Sequence, residues 1–485
     1  MSISVVGAGI GGMISALLLS NKGYEVTIYE KNHYLGGRLT YETDGEYTIE
    51  QGPTIVLLPE LLLEILEEAG IARDQLELIP CEPLYDLFFA DGTKMTKWRD
   101  PDKQEEALEQ AYPGTGEAFR RYLIDMETIY HFGYDAFLSR SFHRMRDFLT
   151  LENMKFIMKS QSYQSLSTFL SRYFKNEKVK QAYMLQSLYI GGSPYRVPAL
   201  YGLISYSEHA FGIWYLKGGY HSLIPLLEQA LVDRGVQIQT GTNVERIVVE
   251  DDRVSGVQVN GETHAYDQVI FNGEYPHLNQ LLDSKSTQSK RDYQPSSGCL
   301  LVYLGVNKRY PEREAHQFFL PNEFEKHMKE VFETKSLSNR FSTYVFNPVA
   351  LDHEAAPPNK SVLYFLIPVP SNNEIDWEAA KHHVVEQAIL QVEALGFPGL
   401  SEAIEWKKIR TPQDAEISGL FQGGSFGIAP HLQQSGAFRP QVMHSKIHGL
   451  FTVGASVHPG GGIPIVMQGA RLLDNHFEEK KEMIK

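Results

Sequence analysis

The chain has 485 residues, of which 42% are hydrophobic and 22% are charged, and its formal net charge at pH 7 is -15. This composition is typical of a folded globular protein of two or three domains rather than a disordered chain. The negative charge argues against nucleic acid as a partner, because binding phosphates requires a positive surface.

The first predicted elements are a strand, a glycine-rich turn and a helix. Residues 3–6 (ISVV) are predicted to form a short buried strand and are followed by GAGIGG, which has the spacing GxGxxG. In this motif the first glycine makes a tight turn, the second lets the backbone approach a pyrophosphate, and the third lets the helix pack on the strand. The helix would also direct free N–H groups and its positive dipole end at a phosphate. The motif predicts dinucleotide binding by Gly7, Ala8, Gly9, Gly11 and Gly12.

The next predicted strand, YEVTIYE at residues 24–30, ends in an acid. Glu30 lies about 20 residues beyond the glycine turn, where an acceptor for the ribose hydroxyls belongs. A carboxylate at this position would repel the 2′-phosphate of NADP. The spacing therefore leaves NAD and FAD as candidate cofactors.

A second glycine turn follows at Gly36 and Gly37, with Arg38 directly after it. The pattern Glu-x5-Gly-Gly-Arg resembles the second signature of FAD-binding enzymes of the amine-oxidase and carotenoid-desaturase superfamily. FAD bound in an extended form needs a second close approach of backbone, and Arg38 can neutralise its pyrophosphate. An ordinary turn with a surface arginine is the alternative. After the preceding strand–turn–helix unit, the pattern favours FAD.

Residues 46–71 predict a strand, a Gly-Pro turn and an amphipathic helix. We expect Gly52, Pro53 and Thr54 to lie at the flavin, because a glycine permits close backbone approach. An ordinary turn is again the alternative. Residues 84–98 predict a β-hairpin around an Asp-Gly turn.

Residues 101–216 are predicted to be mainly helical and rich in aromatic side chains. Residues 138–180 contain nine Lys or Arg residues and only three Asp or Glu residues, so this segment is basic in an acidic protein. A basic amphipathic helix can lie on an anionic membrane surface, whereas the alternative is a solvated face that covers the core. We expect charge reversal of Arg140, Arg144 and Arg146 to release the protein from anionic liposomes.

Regular α/β structure returns at residues 215–272, with a helix, a strand over 237–240, a β-meander over 244–265 and a strand over 267–271. In flavoproteins that the chain resembles, a later α/β segment of this kind completes the cofactor-binding domain. The resemblance places Val244 near the adenine.

A further sheet is predicted from two strands, at residues 296–307 and 361–370, with a helix over 376–395. We interpret this insertion, residues 276–409, as a candidate substrate domain.

The carboxyl-terminal stretch at residues 449–475 again combines a strand, a glycine loop and a helix. The strand runs into Gly454, and the helix is expected to start near Ile463 and Pro464, since proline suits a first helical turn. A helix terminus aimed at the flavin would stabilise negative charge on the reduced ring. We therefore predict that Gly454, Gly462, Ile463 and Pro464 bind the cofactor; a packing helix with a flexible lead is the alternative.

Histidine supplies two weaker signals. His444 and His448 have the spacing of helical metal ligands but no acidic third ligand, so no metal is predicted. His458 adjoins the predicted flavin loop, where a structural role is favoured over a catalytic one. No catalytic residue is predicted.

The predicted location is the cytoplasm, at the inner face of the cell membrane. No basic segment precedes the first apolar strand, so no signal peptide is expected. The apolar window at residues 197–216 contains Glu208 and His209, which argues against a transmembrane helix. Cys81 and Cys299 fit neither a disulfide framework nor a thiolate metal site.

Stretches along nearly the whole chain resemble bacterial carotenoid desaturases of the phytoene desaturase type, and most closely the C30 branch, the dehydrosqualene (4,4′-diapophytoene) desaturases. The stretches are residues 7–38, 52–59, 186–201, 214–223 and 423–470. The narrowest are ASVHPGGGIP and SFGIAPHLQQS. The same branch contains enzymes that oxidise the terminal methyl groups of diapolycopene or diaponeurosporene.

The resemblance implies an α/β fold, with a Rossmann-like FAD-binding domain of the amine-oxidase (GR2) type, an inserted α+β substrate domain and a helical membrane-facing segment. The implied boundaries are FAD-binding residues 1–83, 217–275 and 410–485, a mixed helical lid at 84–216, and the substrate domain at 276–409. The sequence carries no signal for an oligomeric state.

The implied function is FAD-dependent desaturation of a C30 carotenoid precursor, an apolar isoprenoid, by hydride transfer to flavin. Terminal-methyl oxidation is the alternative, followed by an amine-oxidase-like enzyme with a polar substrate and by a non-enzymatic escort protein. A hydrocarbon has no polar handle, so an apolar tunnel must recognise it. We expect Tyr189, Tyr206, Phe211, Trp214 and Tyr215 to line the tunnel, with ordinary core packing as the alternative.

Overall fold

The computed structural model describes residues 1–142, 145–282, 291–371 and 374–484. Within these ranges the strands alternate with helices at the amino terminus and dominate the second half of the chain. The strands are β1 Ser2–Val6, β2 Glu25–Tyr29, β3 Tyr41–Asp44, β4 Tyr47–Glu50, β5 Leu78–Pro80, β6 Tyr85–Phe89, β7 Lys94–Lys97, β8 Trp214–Leu216, β9 Gln237–Gln239, β10 Val244–Glu250, β11 Arg253–Val259, β12 Glu262–Ala265, β13 Gln268–Phe271, β14 Gly298–Val306, β15 His316–Leu320, β16 Thr343–Phe346, β17 Ser361–Val369, β18 Ile404–Arg410 and β19 Leu450–Thr452.

Helices are concentrated between β7 and β8, as the sequence predicts. They are α1 Ile10–Asn21, α2 Pro59–Glu68, α3 Pro101–Ala111, α4 Thr115–Gly133, α5 Met145–Phe148, α6 Leu151–Ser160, α7 Leu166–Leu170, α8 Glu177–Met184, α9 Leu203–Phe211, α10 Leu223–Asp233, α11 Leu278–Leu281, α12 Phe324–Lys329, α13 Trp377–Leu395, α14 Leu400–Ala403, α15 Pro412–Ile417 and α16 Ile463–Ile484. Across the described ranges, no helix is both long enough and apolar enough to cross a bilayer.

Five parallel strands form a sheet in the order β19-β13-β1-β2-β9. β1 lies at the centre, where Val5 pairs with Ile28 of β2 and Ile270 of β13. Parallel sheets are covered on both faces, so their strands and covering helices are apolar. Accordingly α1 is buried from Ile10 to Leu19. Three distant stretches of chain meet in this one sheet, and the loops at the carboxyl ends of its strands come together.

A seven-stranded sheet has the order β18-β14-β17-β16-β15-β6-β7. Its pairs are antiparallel except for β15 with β6. Side chains alternate between its faces, as the strand period requires. On β14, Leu300 and Val302 pack with α13, whereas Leu301 and Tyr303 belong to the core beneath the helical segment. β15 and β16 are absent from the sequence-based prediction, which found no strand between residues 307 and 361.

His327 on α12 illustrates the cost of a buried imidazole. It is 1% exposed, and neither ring nitrogen has a hydrogen-bond partner among the described residues. Burial lowers the pKa of His327 to about 3, from an ordinary value of 6.5. The unfolded chain therefore binds a proton below about pH 6.5 that the folded protein does not.

We predict that His327→Leu makes the melting temperature less sensitive to acid. The contribution of His327 to stability is complete above pH 6.5 and is lost as the pH falls from 6.5 towards 3, at about 1.4 kcal/mol per pH unit. Scanning fluorimetry between pH 7.5 and 5 should show a smaller loss in the variant than in the wild type. His383→Leu, at an exposed position on α13, is the control and should keep the wild-type slope. Parallel slopes for His327→Leu and the wild type would contradict the prediction.

Candidate active site

The first glycine turn connects β1 to α1. Gly7 has a φ of +100°, a conformation that side chains disfavour. A Cβ on Gly12 would overlap the Gly7 carbonyl oxygen, so this glycine is what permits α1 to approach the turn. Gly9 precedes the first residue of α1, and no side chain caps the helix. The first backbone N–H groups of α1 are thereby available to an anionic ligand.

Glu30 is fixed against this turn. Its Oε2 accepts a hydrogen bond from the Ala8 N–H at 2.8 Å, and its Oε1 accepts from the backbone and side-chain nitrogens of Asn32 at 2.9 and 2.8 Å. The side chain is buried at the carboxyl end of β2. A carboxylate held in this way retains lone pairs that can accept a ribose hydroxyl.

The two glycine turns contact each other directly. The Gly36 N–H donates to the Ala8 carbonyl oxygen at 2.9 Å, and Gly9 and Gly36 form an isolated parallel bridge. A Cβ on Gly37 would lie 3.3 Å from the Gly9 Cα. The two backbone segments therefore form one continuous surface without side chains, which suits a pyrophosphate approached from two sides.

Arg38 leaves this surface and forms an ion pair with Glu274. Its guanidinium also donates to the Ser425 carbonyl oxygen at 3.1 Å. The second oxygen of Glu274 accepts from the Ser456 hydroxyl at 2.5 Å. Sequence reasoning missed Glu274, although it follows β13 at the edge of the sheet where the glycine turns lie.

Asn272 is a second residue that the sequence analysis missed. Its Nδ2 donates to the Gly7 carbonyl oxygen at 3.2 Å. Its side chain lies within 3.0 Å of the positions that a Cβ would take on Gly9, Gly11 and Gly12. The lack of side chains at these glycines therefore also makes room for Asn272.

Val244 opens β10 and is buried in a cluster with Tyr29. Two residues earlier, the Thr242 N–H donates to the Glu30 carbonyl oxygen at 2.8 Å. This contact brings the start of β10 beside the acid that ends β2. A contact between Val244 and an adenine stays a prediction.

The carboxyl-terminal loop joins β19 to α16. A Cβ on Gly454 would lie 3.5 Å from the Asn272 side chain, so this loop meets the first glycine turn. α16 begins at Ile463 and packs along α1, where Val466 approaches Gly11. Gly462, Ile463 and Pro464 line the large cavity described below.

His458 in this loop has a structural role. Its Nε2 donates to the carbonyl oxygens of Phe137 and Arg140, both at 2.9 Å, because two carbonyl partners require a donor at that nitrogen. Burial lowers the pKa of His458 to about 4, which keeps the imidazole neutral at neutral pH. The loop is thereby tied to the chain just beyond α4.

A cavity of about 550 Å³ runs from these loops to the surface. Its walls are mostly apolar and include Arg38 after the second glycine turn, Gly460, Gly461 and Gly462 of the carboxyl-terminal loop, and Ile157 of α6. The predicted cofactor residues in its lining are Arg38, Gly52, Pro53, Thr54, Gly462, Ile463 and Pro464. Exposed or half-buried residues of the lining include Ile157, Tyr163, Leu432 and Phe438.

The prediction for the aromatic lining is largely wrong. Tyr189 lines the cavity, but Tyr206, Phe211, Trp214 and Tyr215 do not. Tyr206 and Phe211 instead pack on the Tyr130 ring, and Trp214 and Tyr215 form the short strand β8. Aromatic residues that are close in sequence to a cavity-lining residue can equally well pack between helices and strands.

Two clusters of buried polar residues lie in or directly behind the cavity wall, which includes Tyr189, Thr54 and Tyr344. Lys97 and Glu208 form an ion pair at 2.6 Å, and Glu208 accepts from the Tyr189 hydroxyl at 3.2 Å. Tyr344 lies between the Thr54 hydroxyl, 2.6 Å away, and the Nδ1 of His316, 2.7 Å away. Sequence reasoning identified neither group, because its members come from distant segments.

Comparison with known proteins places the chain in a family. Residues 10–472 match the profile described as flavin containing amine oxidoreductase. The chain is 48% identical, over 99% of both proteins, to a 4,4′-diapolycopen-4-al dehydrogenase of Metabacillus indicus. It is 34% identical to a zeta-carotene-forming phytoene desaturase of Myxococcus xanthus, over 97% of this chain and 92% of that protein. It is 30% identical to a 4,4′-diapophytoene desaturase (4,4′-diaponeurosporene-forming) of Staphylococcus aureus strain Newman, over 97% of both.

Solved structures agree on the fold. Cyclohexylamine oxidase from Brevibacterium oxydans IH-35A superposes with a TM-score of 0.66 at 16% identity, over 99% of both chains. Putrescine oxidase bound to putrescine superposes with a TM-score of 0.64 at 13% identity, over 99% of both. At these identities the likeness concerns the fold alone.

The chain therefore belongs to the flavin-containing amine oxidoreductases and is an FAD-dependent oxidoreductase. Within that class it is a member of the carotenoid desaturase family, close to the C30 enzymes. The predictions of the fold class, the family, the enzyme class and FAD are confirmed. The individual FAD contacts and the domain boundaries stay predictions. Within the described ranges, no three His, Cys, Asp or Glu side chains are grouped to hold a metal.

We predict that Glu30→Gln weakens FAD binding by about 10- to 150-fold, because hydrogen bonds to a charged group contribute about 1.5–3 kcal/mol. The amide would keep the shape of the side chain but would present a donor to either the Ala8 N–H or a ribose hydroxyl. Flavin absorbance per mole of purified protein and calorimetric titration with FAD measure the effect. Glu25→Gln, exposed on the same strand, should match the wild type. Equal affinity in the Glu30 variant would refute the assigned role.

Proposed function

We propose that this chain oxidises the terminal carbon of a C30 carotenoid, converting a carotenoid aldehyde to the acid. The observation that carries the proposal is the 48% identity, over 99% of both proteins, to the 4,4′-diapolycopen-4-al dehydrogenase of Metabacillus indicus. The sequence analysis placed desaturation of 4,4′-diapophytoene first and terminal oxidation second. This similarity favours oxidation at the chain end.

The proposed reaction balances with water as the oxygen donor. The aldehyde C–H bond breaks with transfer of a hydride, a water oxygen forms the new C–O bond, and one proton is released. Bound FAD supplies the two-electron acceptor. The protein must orient the chain end and admit one water, while it keeps the remainder of the polyene dry.

The cavity supports an elongated apolar substrate. Its lining is mostly aliphatic and aromatic, and it connects candidate cofactor loops with the surface. Moving a C30 chain into water would cost on the order of 20 kcal/mol, at about 0.8 kcal/mol per CH₂-sized unit. Delivery through bulk water is therefore excluded, and a membrane is the natural reservoir for such a substrate.

The surface around α6 supports delivery from a bilayer. Leu151, Met154 and Met158 are 72%, 38% and 60% exposed and recur at helical spacing. Lys155 and Lys159 are exposed beside them, while Ile157 of the same helix lines the cavity. An apolar stripe with flanking lysines suits an anionic membrane surface. We therefore propose peripheral attachment through α6, at the cytoplasmic face of the membrane.

We predict that Leu151→Asp with Met158→Asp reduces co-sedimentation with anionic liposomes at least tenfold, because two exposed apolar side chains that would insert into the lipid are replaced by charges that the lipid repels. Flavin content should not change. Val232→Asp with Leu390→Asp, at exposed apolar positions on α10 and α13, is the matched control and should bind liposomes like the wild type. Undiminished binding of the α6 variant would refute this docking surface.

The arginines at 140 and 146 lie in the same region, and Arg144 lies outside the described residues. Arg146 is 74% exposed at its side chain and lies 3.9 Å from Asp147. Release by charge reversal at these three positions stays a prediction. The lysines of α6 are the better-placed basic residues for the same experiment.

Desaturation of carbon–carbon bonds within the carotenoid is the second candidate function, because two relatives of 30–34% identity are named desaturases.

We predict that the purified holoenzyme in liposomes consumes 4,4′-diapolycopen-4-al and yields a product with one more oxygen atom. Chromatography with mass spectrometry on parallel incubations with the aldehyde and with 4,4′-diapophytoene separates the candidates. Loss of hydrogen from diapophytoene with an unchanged aldehyde would reverse the order of the two proposals.

A further inference from the structure

Thr54, Tyr344 and His316 form a hydrogen-bonded chain that ends at the cavity. The Tyr344 hydroxyl lies 2.6 Å from the Thr54 hydroxyl and 2.7 Å from the His316 Nδ1. Thr54 and Tyr344 line the cavity, whereas His316 lies behind them and is fully buried. The His316 ring stacks on Phe346, with centroids 5.1 Å apart, which fixes its plane.

The direction of the hydrogen bonds follows from the buried imidazole. Burial lowers the pKa of His316 to about 3, so the ring is neutral and carries one N–H. Its Nε2 has no partner among the described residues. An unpaired buried acceptor is tolerated better than an unpaired buried N–H, so the proton belongs on Nδ1.

The hydrogen bonds of the three residues then all donate in the same direction, from His316 towards the cavity. The His316 Nδ1–H donates to the Tyr344 oxygen, and the Tyr344 hydroxyl donates to the Thr54 oxygen. The Thr54 hydroxyl proton is left over and is available to the cavity. The three hydrogen-bonded side chains therefore present one fixed donor to a cavity whose walls are otherwise mostly apolar. The donor lies beside the Gly52-Pro53 turn expected at the flavin.

We propose that the hydrogen-bonded series His316–Tyr344–Thr54 determines the specificity of the protein for a carotenoid with oxygen on its terminal carbon. In this proposal the Thr54 hydroxyl donates to the carbonyl oxygen of the substrate. The inference rests on the proposed function, since it names the group that such a substrate must offer. A hydrocarbon terminus would leave the buried hydroxyl without an acceptor, whereas an aldehyde would satisfy it.

The second consequence concerns position. A donor fixed at Thr54 sets the distance of the carbonyl carbon from the adjoining turn, and the rigid polyene follows the cavity from that point outward. Tyr344 and His316 are positioning residues, because they act on the substrate through the orientation of the Thr54 hydroxyl.

The test uses a terminal methyl ketone of the C30 polyene, which has the carbonyl oxygen but no hydrogen on the carbonyl carbon to transfer. Resonance Raman spectra of the ketone bound to the holoenzyme report the carbonyl stretch, which falls when the oxygen accepts a hydrogen bond. Thr54→Val should return the stretch to its value in detergent and weaken ketone binding by about 5- to 150-fold. Thr54→Ser should restore the wild-type shift, and Tyr344→Phe should reduce it.

Binding of the matching C30 hydrocarbon is measured alongside and should be unchanged or tighter in Thr54→Val. Thr48→Val, at an exposed position on β4, is the control for the substitution itself. Flavin content in the same samples shows whether the site is intact. An unshifted carbonyl in the wild type, or equal weakening for ketone and hydrocarbon, would overturn the inference. If the wild type binds the ketone with the shift but does not oxidise the aldehyde, the proposed function fails and the recognition stands.

Discussion

Direct contact between two backbone turns governs the arrangement of this site. Gly9 and Gly36 form a backbone bridge, Gly36 has a φ of +100° that side chains disfavour, and the Gly36 N–H is satisfied by the Ala8 oxygen. Glu30 is fixed by the N–H of the same residue, Ala8, which donates to its carboxylate. One glycine contact thus holds together two loops and the acid between them. Asn272, which follows β13, and Gly454, which follows β19, reach the same place from the adjoining strands of the parallel sheet.

A gradient of polarity follows from this arrangement. The sheet edge offers backbone N–H groups, a carboxylate and the Arg38–Glu274 pair, whereas the cavity that leaves it has mainly apolar walls. Behind one wall, Glu208 pairs with Lys97 and accepts from the hydroxyl of Tyr189, which lines the cavity. Burying an unpaired charge there would cost several kcal/mol, so the pairing keeps the cavity suitable for an oily chain.

The sequence predicts what depends on local pattern. The strand, glycine turn, helix and acid at residues 3–30 are contiguous, and each element appears within a few residues of its expected bounds. β15 and β16 escaped prediction because they are five and four residues long and lie buried in the middle of a sheet, with no alternating polar face. Thr54, His316 and Tyr344 meet only after three segments fold together, so no spacing in the chain could announce them. Tyr189 could not be told from its aromatic neighbours, because packing and cavity lining use the same side chains.

His458 connects two parts of the molecule that are distant in sequence. One ring nitrogen grips the peptide oxygens of Phe137 and Arg140, while its own loop carries the glycines that lead into α16. Moving either segment away from the other would break two hydrogen bonds to a buried imidazole, each contributing about 0.5–1.5 kcal/mol. The position of the chain beyond α4 therefore constrains the glycine loop that leads into α16, and loss of the imidazole would release the two segments from each other.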